Sequence, residues 1–319
     1  MYSIFLQPII LEAKQRGIKV EALCEGYKNF ARLSHNGHEE LIHNTITSRL
    51  THIQTLALND KYIGNMVLKN IGVNVPTTYL LNREMIESKN FDFQDKMWAI
   101  KPLKEYGGKG VSINIRTHTD IKKAFNKALK EQLDKTKNKV IAQEMIQGDE
   151  YRVLVINHKK VFLVKREPAN VIGDGISSLI ELIEEKNNEA INKTRIIKVD
   201  QELESFLKKH GRTYSDVPKK GEKVKLSHLA NSHKGGTSIE MSQNIPSHIY
   251  NFAIDLSKKT NLKVVGIDII TPDIEETYGN VIELNLNPGL TIHKNPTVGQ
   301  PSFPEKAIID MLFPETANI

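Results

Sequence analysis

Two stretches near the C-terminal end constrain this chain most: Gly266-Ile267-Asp268-Ile269-Ile270, and Val281-Ile282-Glu283-Leu284-Asn285-Leu286-Asn287-Pro288-Gly289. Both are apolar runs of strand character. Both also carry acidic or amide side chains that an ordinary buried strand avoids. Laid side by side, such strands aim Asp268, Glu283 and Asn285 at one point. Hard oxygen ligands gathered in this way suit Mg²⁺, which takes a carboxylate or two and leaves its other positions to phosphates and water. The fold must therefore place this pair of strands on the wall of a site, and nucleotide chemistry becomes the first expectation.

The rest of the composition sets limits. At 319 residues the chain can hold two or three subdomains with cores of their own. Hydrophobic residues at 39% and charged residues at 26% fit a globular protein. The net charge of +6 is spread along the chain, with no Lys/Arg block interleaved with aromatics, so a nucleic-acid partner is not expected. Cys24 is the single cysteine, which rules out an intrachain disulfide and fits a reducing compartment. The apolar stretch Met1–Leu11 has no basic leader and runs into Glu12 and Lys14, so it reads as a first helix rather than a signal peptide. No apolar run approaches the roughly 18 residues of a membrane span. A cytoplasmic protein without a membrane partner is expected.

Residues 1–75 read as a short, mostly helical N-terminal segment. It has a helix over Pro8–Arg16 ended by Gly17, a strand over Ile18–Leu23, and helices over Leu41–Leu58 and Lys61–Asn70, the last capped by Asn59-Asp60. Gly72-Val73-Asn74-Val75-Pro76 marks the first boundary. Residues 76–145 form the second unit: strand Trp98–Pro102, a glycine loop Tyr106–Gly110, strand Val111–Ile115, helix Asp120–Leu133 and strand Val140–Met145. Residues 146–319 form the third. There, strands Tyr151–Ile156 and Val161–Arg166 flank an Asn157-His158 turn. A loop at Pro168–Gly175, helices at Ser177–Glu185 and Gln201–Lys209, strand Val224–Leu226 and helix Pro246–Thr260 then lead into the two acid-bearing strands. The fold class is α/β (α+β), without internal repeats.

Four further features carry chemistry. Gly107-Gly108-Lys109-Gly110 lies between two strands, whereas a Walker loop opens a helix and needs GxxxxGK[ST], which is absent. Such a loop is either a structural hairpin or a flap whose amides close over phosphates. Lys101, on a strand among apolar residues, must reach solvent or an anionic partner such as a phosphate. The strand leaving through Glu144-Met145-Ile146 can offer backbone groups to an adenine edge, with Glu144 or Glu150 placed to hold ribose hydroxyls. Arg166, closing its strand, can brace a transferring phosphoryl group or form a surface ion pair.

In order and spacing these residues resemble the ATP-grasp superfamily of carboxylate–amine ligases, from about Leu56 to Gly299. Asp60-Lys61, Ala99-Ile100-Lys101-Pro102, the glycine loop, Gln143-Glu144, Glu150-Tyr151-Arg152, Asp268 and Glu283-Leu284-Asn285 carry that likeness. A narrower resemblance lies in Arg166–Gly175, in Asn231–Gly236 ahead of Thr237–Met241, and in Asn287-Pro288-Gly289 running to His293 and Gly299. These are similar to the ATP-grasp modules of bifunctional glutathione synthetases and of cyanophycin synthetases. So is Gln7–Pro76, including Thr47-Ser48-Arg49.

The resemblance implies two α/β subdomains that clamp ATP, with Mg²⁺ as cofactor, two ions being expected and Mn²⁺ able to stand in. It implies an enzyme that joins an amino acid or short peptide to an amine, glutathione synthetase-like or cyanophycin synthetase-like, and relatives suggest a homo-oligomer. A non-catalytic ATP-binding module is the alternative of another class. By position, Lys61 and Lys101 would contact phosphates, Gly107 to Gly110 would form the flap, Glu144, Met145 and Ile146 would meet adenine, and Glu150 the ribose. Arg166 would face the γ-phosphate, and Asp268, Glu283 and Asn285 would hold the metal. Arg152, Asn170, Asn231, His233 and His293 are the residues to watch for substrate contacts. One departure stands out: D-alanine–D-alanine ligases carry an Arg two residues before the metal Asp, where this chain has Gly266. That sets the chain apart from their branch and removes one oxyanion-stabilising candidate.

Overall fold

The computed structural model describes residues 2–105, 108–133, 138–189, 196–228 and 235–317. The chain opens with α1 (Gln7–Gln15), followed by an antiparallel sheet of β1 (Lys19–Glu21), β2 (Phe30–His35) and β3 (His38–His43). Two short helices follow, α2 (His52–Leu58) and α3 (Lys61–Asn70). Thr51 and Gln54 form a capping box on α2, and the Asp60 carboxylate accepts from the Tyr62 and Ile63 amides at the start of α3. The N-terminal segment is thus not mostly helical as expected. The stretch expected to be helical from Leu41 begins in β3 instead, where Ile42 faces inward and Leu41 outward. An Asn36-Gly37 turn with positive φ at both residues joins β2 to β3, the geometry that suits the twist of a tight hairpin.

A second sheet holds β4 (Thr78–Asn82), β5 (Trp98–Pro102), β6 (Ser112–Ile115) and β7 (Lys139–Glu144) in the order β4-β7-β5-β6. The helix α4 (Arg83–Glu87) follows β4, and α5 (His118–Glu131) packs on one face of the sheet. Trp98, Ile100, Val140 and Ala142 meet Ile121, Phe125 and Ala128 there. Strand alternation turns Lys101 and Gln143 to the other face.

The largest sheet is antiparallel throughout, in the order β12-β9-β8-β13-β14. Its strands are β8 (Asp149–Ile156), β9 (Lys160–Glu167), β12 (Thr237–Glu240), β13 (Val264–Thr271) and β14 (Asn280–Asn285). Between β9 and β12 the chain inserts β10 (Asn170–Ile172), α6 (Leu179–Glu189), α7 (Gln201–Lys209) and β11 (Lys223–Lys225). This insertion has its own core, including Val171, Leu179, Ile183, Leu207 and Val224. One face of the large sheet packs Tyr151, Val153, Ile267, Ile269, Val281 and Leu284 with residues of α3 and of α8 (Ser247–Lys259). A bulge in the β13–β14 pairing between Asp268 and Ile269 lets Val281 and Leu284, three apart, share that face.

The opposite face changes character along its length. Leu154, Ile156 and Val264 are covered by α1, β2, β3 and α10 (Pro304–Leu312), which follows the short α9 (Thr291–Lys294). Beyond that cover the same face presents Glu150, Arg152, Asp268 and Glu283. The period of two that buries one half of each strand therefore delivers the polar row at the other half.

The cover is fixed by Arg16, which is 7% exposed. It pairs with Glu12 at 2.7 Å and Asp310 at 2.5 Å, and also donates to the Thr316 carbonyl, joining α1 to the C-terminal end. Removing one member of a buried pair leaves the other charge uncompensated. Arg16→Ala is expected to cost about 3 kcal/mol of folding stability, read as a fall in the urea-unfolding midpoint.

Candidate active site

The site is a row of side chains set by register. Asp268 of β13 lies opposite Glu283 of β14 on one side and opposite Arg152 of β8 on the other. Arg152 in turn lies opposite Val164, and Val164 opposite Glu240 of β12. Residues directly opposite in a ladder share a face, so the row points one way. Glu150 and Arg166, opposite each other, lie two residues along on the same face.

The carboxylates in this row are all compensated. Arg152 grips Asp268 with a two-point fork, Nε to Oδ1 and Nη2 to Oδ2, the latter at 2.9 Å. Arg166 Nη2 donates to Glu150 and reaches Asp268 Oδ2 at 3.3 Å. Burial works against charge on Asp268, yet Arg152 and Arg166 hold its carboxyl below the ordinary range. Lys61, the first residue of α3, places Nζ 2.7 Å from Glu283 Oε2. Burial and Asp268 likewise oppose charge on Glu283, but Lys61 and Lys101 together hold this carboxyl below its ordinary range.

The four-stranded sheet supplies the facing cation. Lys101 Nζ donates to Gln143 Oε1 at 2.6 Å, on the face turned away from α5. Loss of water around it pushes its pKa down to about 8; Glu283 and Asp268 resist that fall, and Lys61 adds to it. Lys101 is thus within electrostatic reach of both carboxylates, although they belong to a different sheet. A backbone bond from Lys61 N–H to the Leu103 carbonyl at 3.0 Å ties α3 to the end of β5.

Asp268, Glu283 and Asn285 fit a hard divalent cation. The first two are opposed across one ladder step, and Asn285 lies two residues along β14, opposite Gly266. Among the described residues no group of three or more His, Cys, Asp or Glu is arranged to hold a metal ion by itself. The set therefore offers two carboxylates and an amide, the sparse oxygen pattern that leaves Mg²⁺ positions for phosphates and water.

Other candidates sit differently. The Glu144 carboxylate is held by Lys96 Nζ at 3.0 Å, and the Glu144 and Met145 amides donate to Thr77 and Met97 carbonyls. Within the segment expected to meet adenine, only the Ile146 amide lacks a backbone partner among the described residues. Gly108, Lys109 and Gly110 form a turn between β5 and β6, with Gly108 and Lys109 exposed; Gly107 lies outside the described residues, as do Asn231 and His233. Asn170 is buried at the stem of the insertion, where its carbonyl accepts from Lys186 Nζ at 2.5 Å. His293 is buried, with Nδ1 3.1 Å from Glu240 Oε2, and burial pushes its pKa down.

Sequence reasoning did not find Gln143 as the partner of Lys101, Lys96 as the partner of Glu144, or Glu240 as the partner of His293. An amide inside the apolar run Val140–Ala142-Gln143 was the visible signal for the first. The other two pairings join segments far apart in the chain.

The chain was compared with known proteins. The ATP-grasp domain family matches residues 58–291. The glutathione biosynthesis bifunctional protein of Listeria innocua is 32% identical over 319 residues, covering 96% of this chain and 41% of that protein. A cyanophycin synthetase of Crocosphaera subtropica is 31% identical over 319 residues, covering 97% of this chain and 36% of that protein. The crystal structure of a bifunctional glutathione synthetase from Pasteurella multocida superposes with a TM-score of 0.72 at 28% identity, over 98% of this chain and 44% of that one. The chain thus spans about two fifths of the length of the curated relatives it matches.

The state of Lys101 gives a pH test. Its folded pKa of about 8 lies below its ordinary 10.5, so its charge is present below pH 8 and lost above it. ADP affinity is expected to fall as pH rises through about 8, by up to tenfold per unit. Lys101→Arg keeps its charge and is expected to flatten that dependence, as calorimetric titration from neutral to alkaline pH will show.

Proposed function

The chain belongs to the ATP-grasp family, and from that premise we propose that it is an ATP-dependent carboxylate–amine ligase of the glutathione synthetase-like kind. The observation that carries this reading is the opposed pair Asp268 and Glu283, faced by Lys61, Lys101, Arg152 and Arg166. A site that gathers four cations from two sheets and a helix around two carboxylates suits a polyanion that arrives with a divalent cation.

In this reading a substrate carboxylate attacks the γ-phosphorus of ATP, giving an acyl phosphate and ADP. An amine then attacks the acyl carbon and phosphate leaves. Mg²⁺ held by Asp268, Glu283 and Asn285 would neutralise charge on the transferring group; we propose two ions, with Mn²⁺ able to replace them. Lys61 and Lys101 exchange their present partners, Glu283 and Gln143, for phosphate oxygens. In this reading Arg166 exchanges its partner Glu150 for the γ-phosphate, which frees Glu150 for the ribose. The glycine-rich sequence Gly107–Gly110 is proposed as the flap that keeps water from the acyl phosphate.

Acceptor and donor are amino acids or short peptides, with γ-glutamylcysteine and glycine the first pair to try. A cyanophycin-like ligase is the second reading, favoured by the 31% identity to the cyanophycin synthetase. No described helix is long and apolar enough to cross a membrane. We propose a cytoplasmic homo-oligomer that uses no nucleic acid.

A phosphate-release screen over pairs of amino acids and short peptides, followed by mass spectrometry of the product, tests the assignment. Amine-dependent ADP release supports a ligase; nucleotide binding without it supports a regulatory module. Asp268→Ala and Glu283→Ala are each expected to lower turnover about 10²–10³-fold, about 3–4 kcal/mol of lost transition-state stabilisation. Turnover near that of the unaltered protein in either variant overturns the roles given to them.

A further inference from the structure

Gly266 and Arg152 are fitted to each other. A Cβ at Gly266 would lie 3.0 Å from Arg152 Cδ, 3.1 Å from Arg152 Nη1 and 3.0 Å from Pro288 Cβ. Gly266 does not have the positive φ that favours glycine, so space rather than backbone conformation calls for it. The Arg152 side chain thus runs from β8 across β13 through the volume a side chain at 266 would fill, and forks onto Asp268. Pro288 closes that volume from above. Its carbonyl accepts from Thr45 Oγ1 at 3.0 Å, and the neighbouring Asn287 Oδ1 accepts from the same hydroxyl at 2.9 Å.

This arrangement has a consequence for metal loading. Lys61, Lys101, Arg152 and Arg166 stand against Glu150, Asp268 and Glu283, with Glu240 farther along the same row. Both Asp268 oxygens accept from guanidinium groups, and Glu283 Oε2 accepts from Lys61. A free divalent cation meets basic side chains at close range and carboxylate oxygens that they already engage. A nucleotide's phosphates add negative charge and compete for the lysines and Arg166. Arg152 is the exception: it is 6% exposed and anchored between Gly266 and Asp268.

We propose that Arg152, seated by Gly266, is a positioning residue that fixes the Asp268 carboxylate and makes cation binding there conditional on bound nucleotide. This rests on the ATP-dependent reading above. The cation enters with the phosphates, and Arg152 keeps the carboxylates from loading metal alone.

The test is Mn²⁺ binding followed by electron paramagnetic resonance, with and without ADP, on protein whose folding is checked by circular dichroism. The unaltered protein is expected to bind Mn²⁺ far more tightly with ADP than without. Arg152→Ala is expected to raise Mn²⁺ affinity without ADP at least about tenfold, since one nearby positive charge is gone. Arg152→Met serves if the alanine variant does not fold. Arg152→Lys keeps the charge and is expected to stay within about threefold of the unaltered protein. Gly266→Ala, which displaces the guanidinium, is expected to raise ADP-free affinity in the unaltered background but to change it less than about twofold in the Arg152→Ala background. A merely structural role would weaken metal binding in all of these variants. Unchanged or weaker ADP-free affinity in folded Arg152→Ala overturns the proposal, as does an equal rise in Arg152→Lys or an undiminished effect of Gly266→Ala without Arg152. If the unaltered protein binds no Mn²⁺ even with ADP, it is the ATP-dependent reading that fails.

Discussion

The pairing of β13 with its neighbours is the constraint on which the rest of this structure depends. One ladder position puts Asp268 between Arg152 and Glu283, and the same alternation buries Ile267 and Ile269 on the opposite face. A slip of β13 by one residue would turn Asp268 into the apolar core and bring Ile267 and Ile269 to the charged face. The cost of burying unpaired charge forbids that alternative. Fold and site are thus specified by one pattern: the apolar half fixes the register, and the register delivers the charges.

A second consequence is that no subdomain owns the site. Lys61 comes from the N-terminal segment, Lys101 from the four-stranded sheet, and the carboxylates from the five-stranded sheet. The bond from Lys61 N–H to the Leu103 carbonyl holds the first two together, and the Lys61–Glu283 pair reaches the third. The ion pair that neutralises Glu283 is therefore also a contact between units. A ligand that competes for Lys61 and Lys101 alters that contact as it binds, which links occupancy to the closeness of the two sheets.

Much of this was legible in the sequence where chemistry and local pattern coincide. Asp268, Glu283 and Asn285 stand out because strands of that apolarity do not carry acids without a use for them. The strand Trp98–Pro102 and the helix Gln201–Lys209 have the predicted bounds, because a proline and an Asp200 cap mark their ends. The hairpin of β2 and β3 carries its own signal, Asn36-Gly37, but Leu41 and Ile42 also suit the helical pattern that follows. What the sequence could not reveal is which distant residue compensates which. Arg152 stands in the sequence as part of Glu150-Tyr151-Arg152 and as a pocket candidate; its grip on Asp268 depends on a register between strands more than a hundred residues apart, and on a glycine that reads alone as a loss. The same holds for Glu240 and His293, joined only once β12 and α9 are folded against β9.

The central claim is that the Asp268–Glu283 pair, masked by basic side chains, is built to receive a divalent cation carried by a nucleotide. Anomalous diffraction from crystals grown with ADP and Mn²⁺ tests it most directly. The account predicts a Mn²⁺ peak touching Asp268, Glu283 and Asn285, with Lys61 Nζ withdrawn from Glu283 and on phosphate. A nucleotide bound with the Lys61–Glu283 pair intact, or a metal peak away from these three residues, would contradict it.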